Sequence, residues 1–348
     1  MICSGLQPFF CPSADGKMGK NIHMSMAADL WAPIQTGRQS VCRILIALAA
    51  LAAALYAEHT APIPPLRVYA GGVAGLTDML DAAGSRQFRA AGGGLYLHNS
   101  GWQTLRADQR KKILENFSDC PVMLELGFGR DAGQVKAWAE VLKKDYLDLG
   151  VRPVVIASNA FDSNTRPTLE QWLAFAQGLR QAGLAETTKL LPTFEYQNYH
   201  LADQLAQNRI TLSADFQNLL RAAGGIVIDS PAGYFFSREQ AYRDWVVDAI
   251  RWSHSQQLYA LVIVSPHTSA DQYSEDAERF VRYLCEHDAV PDAFSVENYN
   301  PAAGPDWPNR VGREDQPDSQ LGVAWFLLGD LLPRLLQPES KANDSTGQ

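Results

Sequence analysis

The feature that most restricts the fold of this chain is a pattern that repeats eight times from residue 67 onward. Each copy has a short apolar run, polar residues at its carboxyl end, and then a segment with apolar residues at helical spacing. The runs begin 27 to 37 residues apart, which is the length of one βα unit. They occupy residues 67–72, 94–102, 121–129, 152–160, 189–199, 225–236, 258–266 and 292–300.

Several of these runs are apolar at nearly every position, as in LYALVIVS at 258–265. Strands that are buried on both faces have this composition, which is typical of parallel sheets covered by helices. Eight consecutive βα units therefore predict a single-domain α/β fold, a closed (β/α)8 TIM barrel over residues 61–336. An open doubly wound sheet would carry a G-x-G-x-x-G turn after its first strand, and AGGVAG at 70–75 lacks that form.

An uncharged apolar run of 14 residues at 44–57 lies outside the repeat. It follows Arg38 and Arg43, and it is shorter than the roughly 20 apolar residues of a membrane-spanning helix. This length and basic flank are typical of the apolar part of a signal peptide. We expect residues 1–60 to be an export segment and linker, which makes the protein periplasmic or secreted. An uncleaved N-terminal membrane anchor is the alternative.

The charge balance narrows the class of partner. Residues 58–348 contain 26 basic and 36 acidic side chains, a net charge of −10, without a run of Lys or Arg longer than three residues. This argues against nucleic acid, and it leaves a membrane as a partner only if the N-terminal segment is retained. Cys120 and Cys285 are expected to be buried free thiols, and no Cys/His zinc spacing exists. We predict no metal and no cofactor, and a polar disordered tail at 337–348.

The carboxyl ends of the runs, where barrel enzymes hold their active sites, are rich in acidic, amide and aromatic residues. Carboxylates on opposed strands can cleave a glycosidic bond, while aromatic faces and amides bind the sugar. Lysine is missing from every strand end, which disfavours Schiff-base chemistry. The candidate catalytic residues are Glu195, Glu297 and Asp229. The candidate substrate-binding residues are His98, Trp102, Glu125, Asn159, Tyr196, Asn198, Tyr199, Tyr234, His267, Asn298, Tyr299 and Trp307.

In this arrangement the chain resembles the large clan of (β/α)8 retaining glycoside hydrolases, whose acid/base and nucleophile lie on strands 4 and 7. The resemblance covers the barrel and is one of architecture and strand offset, without a shared sequence motif. Glu195 and Glu297 are also three strands apart, but they fall on strands 5 and 8. Phe194 stands where the clan has Asn before its acid/base. The resemblance implies a hydrolase of a poly- or oligosaccharide.

The neighbours of the three carboxylates give each an expected role. Glu195 is the expected general acid/base, because Phe194 and Tyr196 would give its site an apolar side. Glu297 is the expected nucleophile or stabilising carboxylate, because Asn298 and Tyr299 beside it can donate hydrogen bonds. Asp229 is the reserve partner, since its strand adjoins strand 5.

Two other functions remain open. Glu195, Asp229, His267 and Glu297 form an oxygen and nitrogen set suited to Mn²⁺ or Mg²⁺, similar to that of xylose-isomerase-like barrels. A metal-dependent sugar isomerase or epimerase is therefore one alternative, although no His stands at the end of strand 3. A non-catalytic glycan-binding or polysaccharide-assembly protein on the same scaffold is the other. Two carboxyl groups facing each other across one cleft would favour the hydrolase.

The segment after the eighth run, residues 301–320, has no obvious helix or strand. Loops of this length are usually functional or disordered. It carries a stacking and ionic set made of Trp307, Arg310, Arg313, Glu314 and Asp315. We expect a lid or wall of the cleft, with Gly304 and Gly312 as hinges.

Overall fold

The computed structural model describes residues 66–159, 166–195, 213–237, 240–265, 272–297 and 312–336. In them, eight parallel strands follow one another in chain order and close into a barrel, with β8 paired to β1. This confirms the predicted (β/α)8 fold. The strands are β1 Arg67–Gly72, β2 Gly94–His98, β3 Val122–Gly127, β4 Pro153–Asn159, β5 Lys189–Glu195, β6 Gly225–Pro231, β7 Tyr259–Ser265 and β8 Ala293–Glu297. The predicted export segment, 1–60, and tail, 337–348, lie outside the described residues and stay predictions.

Helices separate the strands and cover the outside of the barrel. Their starts follow ordinary capping chemistry: the side chain of Thr168 accepts a hydrogen bond from Gln171 N, and that of Asp131 accepts one from Gln134 N. The described helices are Arg86–Ala90, Asn99–Thr104, Ala107–Asn116, Ala132–Asp145, Leu169–Gln181, Ala214–Ala223, Ala232–Phe235, Gln240–Ser255, Tyr273–Glu286, Gln320–Phe326 and Leu332–Leu336. Short 3-10 turns occur at Gly75–Leu80 and Leu147–Leu149.

Two of the predicted apolar runs continue past the end of their strand into a short helix. β2 ends at His98 because the chain turns there into the helix Asn99–Thr104, and β6 ends at Pro231 before the helix Ala232–Phe235. Trp102 and Phe235 extended the apolar runs, but both are buried within these short helices. Periodicity alone cannot separate the end of a buried strand from a buried helical turn.

The last helical stretch of the described chain is not one continuous α-helix. It is divided into Gln320–Phe326, a π-helical segment Leu327–Leu331 and Leu332–Leu336. Because proline has no N–H to donate, the regular hydrogen-bond ladder cannot continue through Pro333. Within the described residues, no helix has both the length and the apolar composition needed to cross a membrane.

The described part of the loop after β8 is bonded to the first βα unit, which corrects the prediction that Gly312 is a hinge. Gly312 N donates to Asp78 Oδ2 at 2.8 Å, so this backbone amide is held. The Glu314 carboxylate is buried and accepts from the backbone N–H groups of Gln87 at 3.1 Å and Phe88 at 2.8 Å. Residues 301–311, which carry the rest of the predicted lid, lie outside the described residues.

The two cysteines within the described residues are free, as predicted, although they are less buried than expected. Cys120 precedes β3, and Cys285 lies in the helix Tyr273–Glu286. Each is half-buried, and burial raises the pKa of each thiol. Two such thiols, kept mostly protonated, are poor nucleophiles.

Candidate active site at the carboxyl end of the barrel

The barrel interior changes from apolar to polar along its axis. Alternate residues of each strand point inward, and in this fold they stack in layers of four drawn from alternate strands. The apolar part is one buried cluster, made of Tyr69, Tyr96, Met123, Val155, Ala157, Leu191, Val227, Leu261, Ile263 and Ala293. The strand registers assign Gly71, Glu125, Thr193 and Ile263 to one layer near the carboxyl end. The next layer toward the mouth consists of His98, Asn159, Asp229 and Glu297.

The Glu125 carboxylate is held by two side chains of the neighbouring strand β2. The hydroxyl of Tyr96 donates to its Oε2, and His98 Nε2 lies 3.4 Å from its Oε1. His98 Nδ1 accepts the backbone N–H of Ser100 at 3.2 Å, and this bond assigns the imidazole proton to Nε2, facing Glu125. Both oxygens of a buried carboxylate therefore meet donors from the neighbouring strand, which fixes its orientation.

The phenol of Tyr96 donates to Glu125 and is also affected by the charges of two other carboxylates. Its side chain is fully buried, and burial raises the pKa of its phenol well above 10, with the negative charges of Glu125, Glu297 and Asp229 raising the pKa further. Those charges come from β3, β8 and β6, and the strand registers place the three carboxylates in two successive interior layers. The predicted candidates Glu125, Asp229 and Glu297 thus lie at the same end of the barrel interior.

The position of Glu297 depends on a glycine. Its side chain lies against Gly72, where an added Cβ would come within 2.7 Å of Glu297 Cγ. Gly72 also has φ +92°, a conformation that residues with a Cβ rarely adopt. The Tyr273 hydroxyl lies 3.1 Å from the carbonyl oxygen of Glu297 and 2.9 Å from that of Val264. This contact joins the end of β8 to β7 and holds the backbone that carries Glu297.

Glu195 is the last residue of β5, where it is paired in register with Asp229 on β6. The prediction that Phe194 gives the Glu195 site an apolar side is wrong. Phe194 faces the helices, and its ring packs on Trp245 at a centroid distance of 4.1 Å. Alternation along the strand places this residue on the outside of the barrel. The side chains that lie outside the described set, and so stay predictions, are those of Glu195, Tyr196, Asn198, Tyr199, Tyr234, His267, Asn298, Tyr299 and Trp307.

Trp102 does not offer a surface for a sugar, which corrects its predicted role. The side chain is fully buried in the helix Asn99–Thr104. One face of the indole stacks on Tyr146 at a centroid distance of 5.9 Å, and the Arg110 guanidinium lies 5.5 Å from the ring centroid. Its Nε1 donates to the carbonyl of Asp145 at 3.0 Å. Trp102 is therefore part of the packing between helices.

Several polar atoms inside the barrel have no hydrogen-bond partner within the described residues. They are Asn159 Oδ1, Thr193 Oγ1, Ser265 Oγ and Ser295 Oγ. Buried polar groups are normally satisfied by protein, water or ligand. The sequence reading missed Thr193 and Tyr96, although both share the inward face of their strands with predicted residues. Within the same described residues, no three His, Cys, Asp or Glu side chains are grouped so as to hold a metal ion.

Comparison with known proteins places the likeness at the level of the fold. No family model and no curated protein matches the chain. A fungal β-1,4-galactanase is 8% identical, with 74% of this chain and 98% of that chain covered and a TM-score of 0.47. KGPDC from Streptococcus mutans is 10% identical, with 79% and 99% covered and a TM-score of 0.44. 3-Hexulose-6-phosphate synthase from Salmonella typhimurium is 11% identical, with 77% of this chain and 98% of that chain covered and a TM-score of 0.44.

Proposed function

We propose that the protein hydrolyses glycosidic bonds in an oligo- or polysaccharide, with carboxylates at the mouth of the barrel as catalytic groups. The observation that carries this proposal is the placement of Glu125, Asp229 and Glu297 in two successive interior layers at the carboxyl end of the barrel. Glycoside hydrolysis requires a carboxylic acid to protonate the leaving oxygen and a carboxylate to act as nucleophile or base. Buried carboxyl groups that lie close together can supply both forms near neutral pH.

Glu297 is the nucleophile or stabilising carboxylate in this proposal. It is 4% exposed, lies at the carboxyl end of β8, and is placed by the contact of its side chain with Gly72. Glu195 is the proposed general acid/base, because its backbone lies at the corresponding end of β5, beside Asp229. The distance between the two carboxyl groups decides the outcome: about 5–5.5 Å gives retention, and roughly 6.5–9.5 Å gives inversion.

Glu125 has a supporting role in the same mechanism. Its orientation is held by Tyr96 and His98, so its negative charge stays in place while the reaction proceeds. The transition state of glycoside hydrolysis carries positive charge on the sugar ring. A fixed carboxylate near that ring stabilises the developing charge without having to reorganise.

The experiment is a hydrolysis screen of the full-length protein on neutral, acidic and amino polysaccharides, with and without EDTA. On any glycan that is cleaved, Glu297→Gln and Glu195→Gln are each expected to lower kcat by about 10²- to 10⁴-fold. Glu140→Gln is the matched control, because Glu140 is exposed on the helix Ala132–Asp145. Near-normal turnover in either site variant, with the fold intact, removes that residue from the mechanism. No hydrolysis, together with an EDTA-sensitive interconversion of free monosaccharides, would instead support the metal-dependent isomerase.

Export is part of the proposed function, since polysaccharides are commonly outside the cell. It is supported by the apolar run at 44–57 and its basic flank. N-terminal sequencing of the native protein is expected to begin near residues 55–58. A full-length cytosolic protein would refute export, and an uncleaved membrane-bound form would support an N-terminal anchor.

A further inference from the structure

The carboxyl end of the barrel carries more negative charge than hydrolysis requires. The two polar layers contain the carboxylates Glu125, Asp229 and Glu297, together with the imidazole of His98, and hold no Lys or Arg. A glycoside hydrolase needs two carboxyl groups at the bond that it cleaves. Since Glu195 ends the neighbouring strand β5, the site has at least one carboxylate beyond that need.

Of the sequence segments that follow four of the strands, two have a net negative charge and two have none. Residues 160–165, 196–212, 266–271 and 298–311 follow β4, β5, β7 and β8, and together they contain four Asp and two Arg, with neither Glu nor Lys. Their composition is therefore net acidic as well. A cluster of carboxylates in interior layers that hold no Lys or Arg repels an anionic substrate and attracts a cationic one.

A set of hydrogen-bond acceptors lies on three adjacent strands of this site. Asn159 on β4, Thr193 on β5 and Asp229 on β6 occupy two successive interior layers. Thr193 is 1% exposed, and within the described residues neither its Oγ1 nor Asn159 Oδ1 has a hydrogen-bond partner. An alkylammonium group has three N–H donors and no acceptor, so it matches a carboxylate, an amide oxygen and a hydroxyl oxygen.

We propose that Asn159, Thr193 and Asp229 bind the ammonium group of an unacetylated amino sugar, so that the substrate is a cationic hexosamine polymer. That the bound amino sugar is also cleaved rests on the proposed hydrolase function. The binding of the ammonium group does not depend on that proposal. A buried cation is stable only when it is paired and hydrogen-bonded, which a carboxylate with two neutral acceptors provides. The N-acetyl form of the same sugar has no charge and presents a bulkier amide, so it is excluded.

This assignment changes the expected role of Asp229 from a reserve catalytic group to a substrate-binding group. Asp229→Asn is then expected to raise KM for a cationic substrate by roughly 10- to 100-fold, the usual effect of losing a bond to a charged group. The value of kcat at saturation is expected to change little. A catalytic role would give the opposite pattern, a loss of kcat on every substrate.

The experiment uses the full-length protein and matched pairs of probes. Oligomers of glucosamine and of galactosamine are each compared with their N-acetylated forms, both in isothermal titration calorimetry and in a cleavage assay. The amine form is expected to bind at least tenfold more tightly than its acetylated partner. Asp229→Asn and Thr193→Val are expected to reduce that preference, whereas Thr193→Ser, which keeps the hydroxyl, and Glu140→Gln are expected to retain it.

The outcomes separate this inference from the proposed function. Equal or tighter binding of the N-acetyl forms overturns the inference, and cleavage of a neutral glycan in that case still supports the hydrolase. Tight binding of an amine oligomer without cleavage supports the ammonium site and contradicts the hydrolase. If Asp229→Asn does not fold, the comparison of Thr193→Val with Thr193→Ser decides the result: equal preference in the two variants overturns the inference.

Discussion

Asp78 connects the first βα unit of the barrel to the loop after β8, and its ionisation is expected to weaken the fold. Its Oδ2 accepts the N–H of Gly312 at 2.8 Å. Burial raises the pKa of Asp78 from 3.8 to about 7, although the bond from Gly312 acts in the opposite direction. The perturbation is Asp78→Asn, which keeps an oxygen to accept the Gly312 N–H but cannot become charged.

The magnitude follows from proton linkage. A carboxyl with a higher pKa in the folded than in the unfolded chain binds its proton more tightly when folded. The stabilisation from Asp78 is therefore complete below pH 3.8 and is lost as the pH rises through about 7. At about 1.4 kcal/mol per pKa unit, the upper limit is about 4 kcal/mol. Because Asp78 is only half-buried and solvent screens its charge, we expect about 2 kcal/mol.

The assay is urea unfolding of the wild type and Asp78→Asn between pH 4 and pH 8.5. The variant is expected to be more stable than the wild type by about 2 kcal/mol at pH 8.5, with the difference shrinking toward pH 4. Asp81→Asn is the control, because a backbone hydrogen bond from Gly84 lowers the pKa of Asp81 and its substitution should not stabilise the fold at high pH. If the difference in unfolding free energy between the wild type and Asp78→Asn is the same at every pH from 4 to 8.5, the reasoning is refuted.

Three further predictions concern packing around the site. Glu314→Ala removes the carboxylate that accepts the backbone N–H groups of Gln87 and Phe88. The free energy of unfolding in urea titrations should therefore fall by about 2–4 kcal/mol, and by less in Glu314→Gln. An equal loss in both would contradict the bonding. Gly72→Ala places a Cβ against the Glu297 side chain. Expressed as free energies, the loss of kcat in steady-state kinetics should exceed the loss of unfolding free energy. Trp102→Phe should lower the melting temperature yet leave glycan affinity in calorimetry unchanged; weaker affinity would restore its role as a sugar platform.

The chain order of the strands was accessible to sequence reasoning because it depends on local composition. A run such as 258–265 is apolar throughout since both faces of β7 are buried, and its spacing from the next run fixes the βα unit length. The ends of the runs were less accessible. Apolar residues such as Trp102 and Phe235 look alike in a strand and in a short buried helix, and only the surrounding helices and strands decide between them.

The candidate site was predictable in part, for a similar reason. Glu125, Asp229 and Glu297 were recognised from their place at strand ends, because the barrel topology brings all such ends to one rim. Tyr96 was missed, since a tyrosine two residues before the end of a strand has the composition of the core. Tyr96 matters because its hydroxyl contacts Glu125 on the neighbouring strand β3. A contact between two strands leaves no signal in the sequence of either strand.

The sequence by itself therefore determined how many strands there are, their order along the chain, and which strand ends carry acidic groups. Tertiary structure alone decided the faces of those strands, as for Phe194, which points to the helices, and Thr193, which points inward. It also decided that Gly312 is tied to Asp78 across 234 residues of chain. The physical reason is separation along the chain. Hydrophobic periodicity is a local pattern that shows which residues of one helix or strand are buried, whereas these hydrogen bonds and charge interactions join residues that come close only when the barrel has closed.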